Sequence, residues 1–207
     1  MAAPDPDVDF LVESASRLVT VATRCLWSFG SADGLNDLLL SRDDPHGDWR
    51  EPVTILHRDA VLMAALRIAV LLDSDPKLLS FQSFYRRFID ARVRAALLQF
   101  LEGRIGPDVF DPSRSDQIDD FVRAYREIDW KAYGRLINLR NRGIAHLTLD
   151  ALKKSVTVEE LRAMVRIVGQ LAAQIQSLFQ LNSAFRTDID LQSRDRVKAV
   201  IVTARQP

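Results

Sequence analysis

A single cysteine, Cys25, rules out an intrachain disulfide framework, and its neighbours Leu18, Val19, Val21, Ala22 and Leu26 predict a buried, unreactive thiol. Charge of one sign is also missing. Lys and Arg number 28 and Asp and Glu number 28, so no global positive field draws the chain to a polyanion, and any nucleic-acid contact must use a local patch. No apolar run reaches the ~20 residues that a bilayer-spanning helix needs. The most apolar segment, Ala60 to Leu72, is interrupted by Arg67. Asp5, Asp7 and Asp9 stand where a secretory signal would carry cations, which predicts a cytosolic chain with no membrane partner. Phosphate-binding glycine loops, zinc-ligand spacings and serine nucleophile elbows are absent as motifs, so nucleotide hydrolysis, metallohydrolase and esterase chemistries gain no support. Neither a cofactor nor a metal is expected.

What is present is an ordinary globular balance, 47% apolar and 27% charged. Leu11, Ala15, Leu18, Ala22, Cys25 and Phe29 recur at three- and four-residue steps and predict a first helix over 8–29. Gly30 to Pro52, with its glycines, prolines and acidic cluster, reads as a long connection with room for a short helix at 35–40. A second helix is expected over 53–72, in the middle of the bundle because Ala60 to Leu66 is apolar on every side. Asp75-Pro76 reads as a cap and first-turn proline for a third helix carrying Phe81, Phe84, Tyr85, Phe88, Val93, Leu97 and Leu101 inward. A fourth runs from Ser115 through Tyr125, Ala132 and Leu136 to Leu139, and Thr157 with Glu160 forms a capping box for the last. The expected fold is all-α: a single-domain bundle of about five main helices over 1–182. The tail, 183–207, is expected to be a short strand or packed extension, because Val197 to Thr203 is β-branched.

The concentrated chemical signal is Arg140-Asn141-Arg142-Gly143-Ile144-Ala145-His146, where the fourth helical stripe meets a glycine. Histidine, with an unperturbed pKa near ~6.5, exchanges a proton at neutral pH, while arginine keeps its charge and offers phosphate a planar fork. Together they can cleave RNA without a metal: a base takes the ribose 2′-OH proton, the oxygen attacks phosphorus, and the arginine steadies the growing charge. On an unbroken helix the six steps from Arg140 to His146 rotate the side chain by about 240° and put the two on different faces, whereas Arg142 and His146 would share a face. Two geometries are therefore open: the chain turns near Gly143 and brings Arg140 onto His146, or the helix continues and Arg142 is the neighbour.

Arg140-Asn141, five intervening positions and His146, flanked by Leu136-Ile137-Asn138-Leu139 and Leu147, resemble the HEPN superfamily, and within it proteins associated with abortive phage infection. That resemblance implies a HEPN-like helical bundle that dimerises and, in active members, a metal-independent endoribonuclease. Under it His146 transfers protons, Arg140 clamps phosphate and Asn141 orients one of them. Arg142 and Arg135 are expected to help bind the RNA, with Lys153 and Lys154 completing a basic face. The implied biology is phage defence, or a toxin restrained by an antitoxin or other inhibitor protein. Thr148 stands where several such toxins carry a modifiable tyrosine.

Competing readings accompany these residues. Arg140 and His146 also fit a helix-terminal pair bonding free carbonyls, and the whole chain fits a non-catalytic interaction module binding a partner protein or nucleotide. His57 reads as an exposed or helix-start residue and His46 as part of a solvated turn. Arg67 needs a partner, with Asp73, Asp90 and Glu102 as candidates, or else faces the His146 cleft. Trp27, Trp49, Trp130, Phe81, Phe84 and Phe88 read as core or interface residues rather than base-stacking platforms.

Overall fold

The computed structural model describes residues 5–41, 48–75, 78–105, 113–144, 156–181 and 188–204, with 105, 142–144 and 202–204 described by backbone alone. Among these residues the chain is all-α and has no strand. The expected count of about five helices is corrected to eight among the described residues: α1 (Pro6–Leu40), α2 (Arg50–Leu71), α3 (Phe81–Phe88), α4 (Ala91–Ile105), α5 (Arg114–Arg126), α6 (Trp130–Asn138), α7 (Val158–Phe179) and α8 (Ile189–Ala204). A π-helical segment, Leu139–Ile144, continues α6.

Two of the extra helices come from aspartates that interrupt apolar stripes. Asp90 accepts from the amides of Arg92 (2.9 Å) and Val93 (3.2 Å), which starts α4 afresh with only Ile89 and Asp90 between it and α3. Asp129 accepts from Lys131 (2.9 Å) and Ala132 (3.0 Å) and separates α6 from α5 in the same way. A side-chain oxygen that satisfies the first free amides of a helix competes with continuing the previous one. The cap of α3 is Ser80, paired with Ser83 in a capping box, rather than Asp75. The Thr157–Glu160 box does start α7.

The 30–52 connection is largely absent, because α1 runs on as one 35-residue helix to Leu40. Gly30 and Gly34, four apart, face α8. A Cβ on Gly30 would sit 2.0 Å from the Asp190 carbonyl oxygen, and one on Gly34 would sit 2.6 Å from that of Arg194. These glycines let two backbones approach closely; they do not break the helix. The seam is tied by hydrogen bonds between Ser31 and Ser193 (2.7 Å) and from Ser193 to the Trp27 carbonyl (2.9 Å). Arg194 adds an ion pair to Asp37 (2.9 Å). The tail segment 189–204 is thus a packed helix.

α1 is the central element, packing on α2, α7 and α8. Its buried stripe includes Leu11, Ala15, Leu18, Ala22 and Cys25. Phe81, Phe84, Phe88 and Phe121 fill the far end, with Phe84–Phe88 and Phe88–Phe121 in edge-to-face contact at 5.9 and 5.0 Å. Each such ring removes enough apolar surface from water to contribute roughly 1.5–3 kcal/mol. Contrary to expectation, α2 lies at the surface: Ala64, Ala65 and Ile68 are buried, whereas Ile55, Leu56, Met63 and Val70 are exposed. An apolar run in sequence does not distinguish a central helix from one that keeps an apolar outer face.

Candidate functional site

The Asp129 cap fixes where α6 begins, and buried Ala132, Leu136 and Leu139 hold one face of it inward. Both α6 and the π-helical segment pack against α2. Arg140 is half-buried and Asn141 exposed. Arg140 Nε donates to Asn141 Oδ1 at 3.0 Å, and no carboxylate among the described residues pairs with this guanidinium. Gly143 does not end the helix; the backbone stays helical through it to Ile144, with the wider winding of a π turn. Arg142 is described there by backbone alone, and His146, Lys153 and Lys154 lie outside the described residues.

Arg135 is engaged elsewhere. Its guanidinium pairs with Glu160, the same carboxylate that accepts from the Thr157 amide (2.8 Å) at the start of α7. The Thr157 amide and the Arg135 charge hold the Glu160 carboxyl below its ordinary range. Arg135 therefore ties α6 to α7 and shares its charge with a carboxylate, whereas Arg140 is held by a neutral amide.

Around the start of α6 lies a group of aromatic residues that the motif did not single out. Tyr133 donates to the Ala69 carbonyl at 3.2 Å. Burial, with help from the charge of Asp73 and against that of Arg140, pushes its hydroxyl up to about 12. Trp130 meets Tyr133 edge-on at 5.6 Å and Tyr125 at 5.5 Å, and Tyr125 stacks on Tyr85 at 4.3 Å and 20°. With Ser74, Gln82 and Arg126 these rings line an open cleft of about 530 Å³. Tyr125 is 5% exposed, and its buried hydroxyl has no hydrogen-bond partner among the described residues. Trp130 is 42% exposed, unlike the buried Phe81, Phe84 and Phe88 with which it had been grouped. The available signal was the close spacing of Tyr125, Trp130 and Tyr133, which helical periodicity alone reads as core.

The other candidates are accounted for structurally. Arg67 donates to the Arg24 carbonyl (3.1 Å) and the Ser28 hydroxyl on α1, not to Asp73, Asp90 or Glu102. Cys25 is buried; burial pushes its thiol up to about 12 against the opposing charge of Arg67. His57 lies within α2, half-buried, and desolvation depresses its pKa while Asp33 opposes the shift. His46 lies outside the described residues. Among the described residues no group of three His, Cys, Asp or Glu side chains is placed to hold a metal, and no helix is long and apolar enough to cross a membrane. Comparison of the chain with family models, curated proteins and solved structures finds no match.

Proposed function

We propose that this protein is a metal-independent endoribonuclease of the HEPN type, acting as a homodimer in phage defence or as the toxin of a toxin–antitoxin pair. His146 takes the ribose 2′-OH proton, the freed oxygen attacks the adjacent phosphorus, and the P–O5′ bond breaks as the 5′-oxygen takes a proton back from the His146 imidazolium, yielding a 2′,3′-cyclic phosphate and a 5′-hydroxyl. Arg140 holds the phosphate and Asn141 orients Arg140.

The observation that carries this reading is the Arg140–Asn141 contact on a π-helical segment. A guanidinium held through Nε by a neutral amide keeps its charge and leaves its Nη fork uncommitted to a carboxylate, and such a fork can grip phosphate oxygens. π-Helical turns within α-helices are frequent at functional sites. The exposed Ile55, Leu56, Met63 and Val70 on α2 support a protein interface, whether with a second copy or with an inhibitor.

A non-catalytic interaction module is the second reading. It is favoured by the apolar groove between α1, α2 and α8, lined by Leu35, Leu56, Ala60, Val197 and Val200.

The two part on one experiment. Wild type, His146→Ala and Arg140→Ala, matched for circular dichroism and light scattering, are incubated with a cellular RNA pool in excess chelator. The ribonuclease reading expects cyclic-phosphate ends from the wild type and a ~10²–10⁴-fold slower rate from His146→Ala. Equal cleavage by wild type and His146→Ala, or none by any form, removes that reading and leaves the interaction module.

A further inference from the structure

We infer that the cleft lined by Tyr85, Tyr125, Trp130 and Tyr133 is a stacking site for the base of a nucleotide, with Arg126 on its lining to meet the attached phosphate. The inference deepens the ribonuclease reading, resting on it only for the supply of an RNA strand.

Three observations converge on it. First, Trp130 is 42% exposed, far more than a core ring would be, and its neighbours keep ring centroids within 5.6 Å, so the indole is braced rather than free to turn. A braced, exposed indole is a platform for a planar ring, because stacking contributes wherever a ligand presents a π-face. Second, Gln82 and Ser74 line the same cleft and offer donors and acceptors of the kind that read a base edge.

Third, the charges bordering the cleft suit an aromatic ring that carries an anion. Arg126, which lines the cleft, brings its Nε to within 3.4 Å of the Tyr85 hydroxyl. Asp73 opposes it, helping to raise the Tyr133 hydroxyl. A purely apolar aromatic would use the rings and leave the guanidinium idle; a nucleotide engages both. At about 530 Å³ the cleft falls within the range of sites that take small molecules.

A free nucleotide and a base within a strand share this chemistry, so the test uses both. Protein carrying His146→Ala, in chelator, is titrated with adenosine 5′-monophosphate by calorimetry and with a short fluorescein-labelled oligoadenylate by anisotropy. The expected result is binding that Trp130→Ala weakens by on the order of ten- to a hundred-fold and Trp130→Phe largely restores. Tryptophan quenching by the ligand should disappear with Trp130. Trp130-dependent binding of the strand alone identifies an RNA base as the occupant, and equal dependence for the mononucleotide identifies a nucleotide pocket. If Trp130→Ala does not fold, Trp130→Leu carries the same comparison.

Binding of both ligands unchanged by loss of Trp130, or binding of neither to the parent, overturns the inference. Absence of cleavage by wild type with Trp130-dependent binding intact defeats the ribonuclease reading alone. Cleavage with Trp130-independent binding defeats this inference alone.

Discussion

Three helical glycines have opposite expected responses to the same added methyl group, and the sign depends on whether α8 is there to be struck. On Gly30 a Cβ would lie 2.0 Å from the Asp190 carbonyl oxygen and 2.7 Å from its carbonyl carbon. Ordinary contact lies near ~3.5 Å, so α8 must retreat by roughly 1–1.5 Å, and a gap of that order forfeits up to about half of each dispersion contact along the seam. Because the obstruction is backbone, the overpacking cost should reach about 3 kcal/mol, from which replacing a helical glycine returns about 1 kcal/mol. Gly30→Ala should thus lose about 2 kcal/mol net, or roughly 4–8 °C in Tm for a chain of this size. Gly103 and Gly134 meet nothing within 4 Å at the same position. Alanine there should gain about 0.5–1 kcal/mol and raise Tm by about 1–4 °C. Thermal circular dichroism reads all three variants, and hydrogen exchange should show α8 amides losing protection first in Gly30→Ala. A Gly30→Ala protein as stable as Gly134→Ala, with α8 still protected, would refute the close approach of α1 and α8.

Arg114 is 2% exposed, and its Nη1 donates to the Leu178 carbonyl at 3.3 Å in the last turn of α7, so Arg114→Ala should cost about 2–4 kcal/mol through the lost charge-assisted bond and the cavity left behind. Denaturant unfolding should show a lower midpoint at unchanged slope; a midpoint within error of wild type would contradict that role. His57 has a depressed pKa in the folded protein, so protonation favours the unfolded chain: its contribution is intact above the ordinary histidine pKa near ~6.5 and is lost as pH falls from there through the lower folded value. Wild-type Tm should therefore fall more steeply than that of His57→Gln as pH is lowered through this window, and parallel Tm curves would count against the assignment.

Much of the secondary structure was legible because local rules decide it. The 11–15–18–22–25–29 stripe of α1 and the Thr157–Glu160 box of α7 are where periodicity and capping indicate. The interior breaks were legible in principle as well, since Asp90 and Asp129 are strong caps, but an unbroken apolar stripe passes over both and outweighed them. α8 was less legible: its β-branched residues argue for a strand, and packing against α1 overrides that weak preference.

The site divides in the same way. The residue types at Arg140, Asn141 and His146, and the phosphate chemistry they suit, belong to the sequence, because ionisation and hydrogen-bonding capacity travel with the side chain. Only the tertiary structure decided which arginine shares its charge with a carboxylate, since Glu160 reaches Arg135 from α7, 25 positions away in sequence. Only it decided that Tyr85, from α3, stacks on Tyr125 and joins the cleft that Trp130 borders. The same is true of the glycines. Gly30 and Gly34 have the composition of a breaker, yet they form a helix seam because a distant backbone packs where their side chains would be, and such an approach depends on segments more than 150 residues apart in the chain, as in the Ser31–Ser193 bond with its separation of 162.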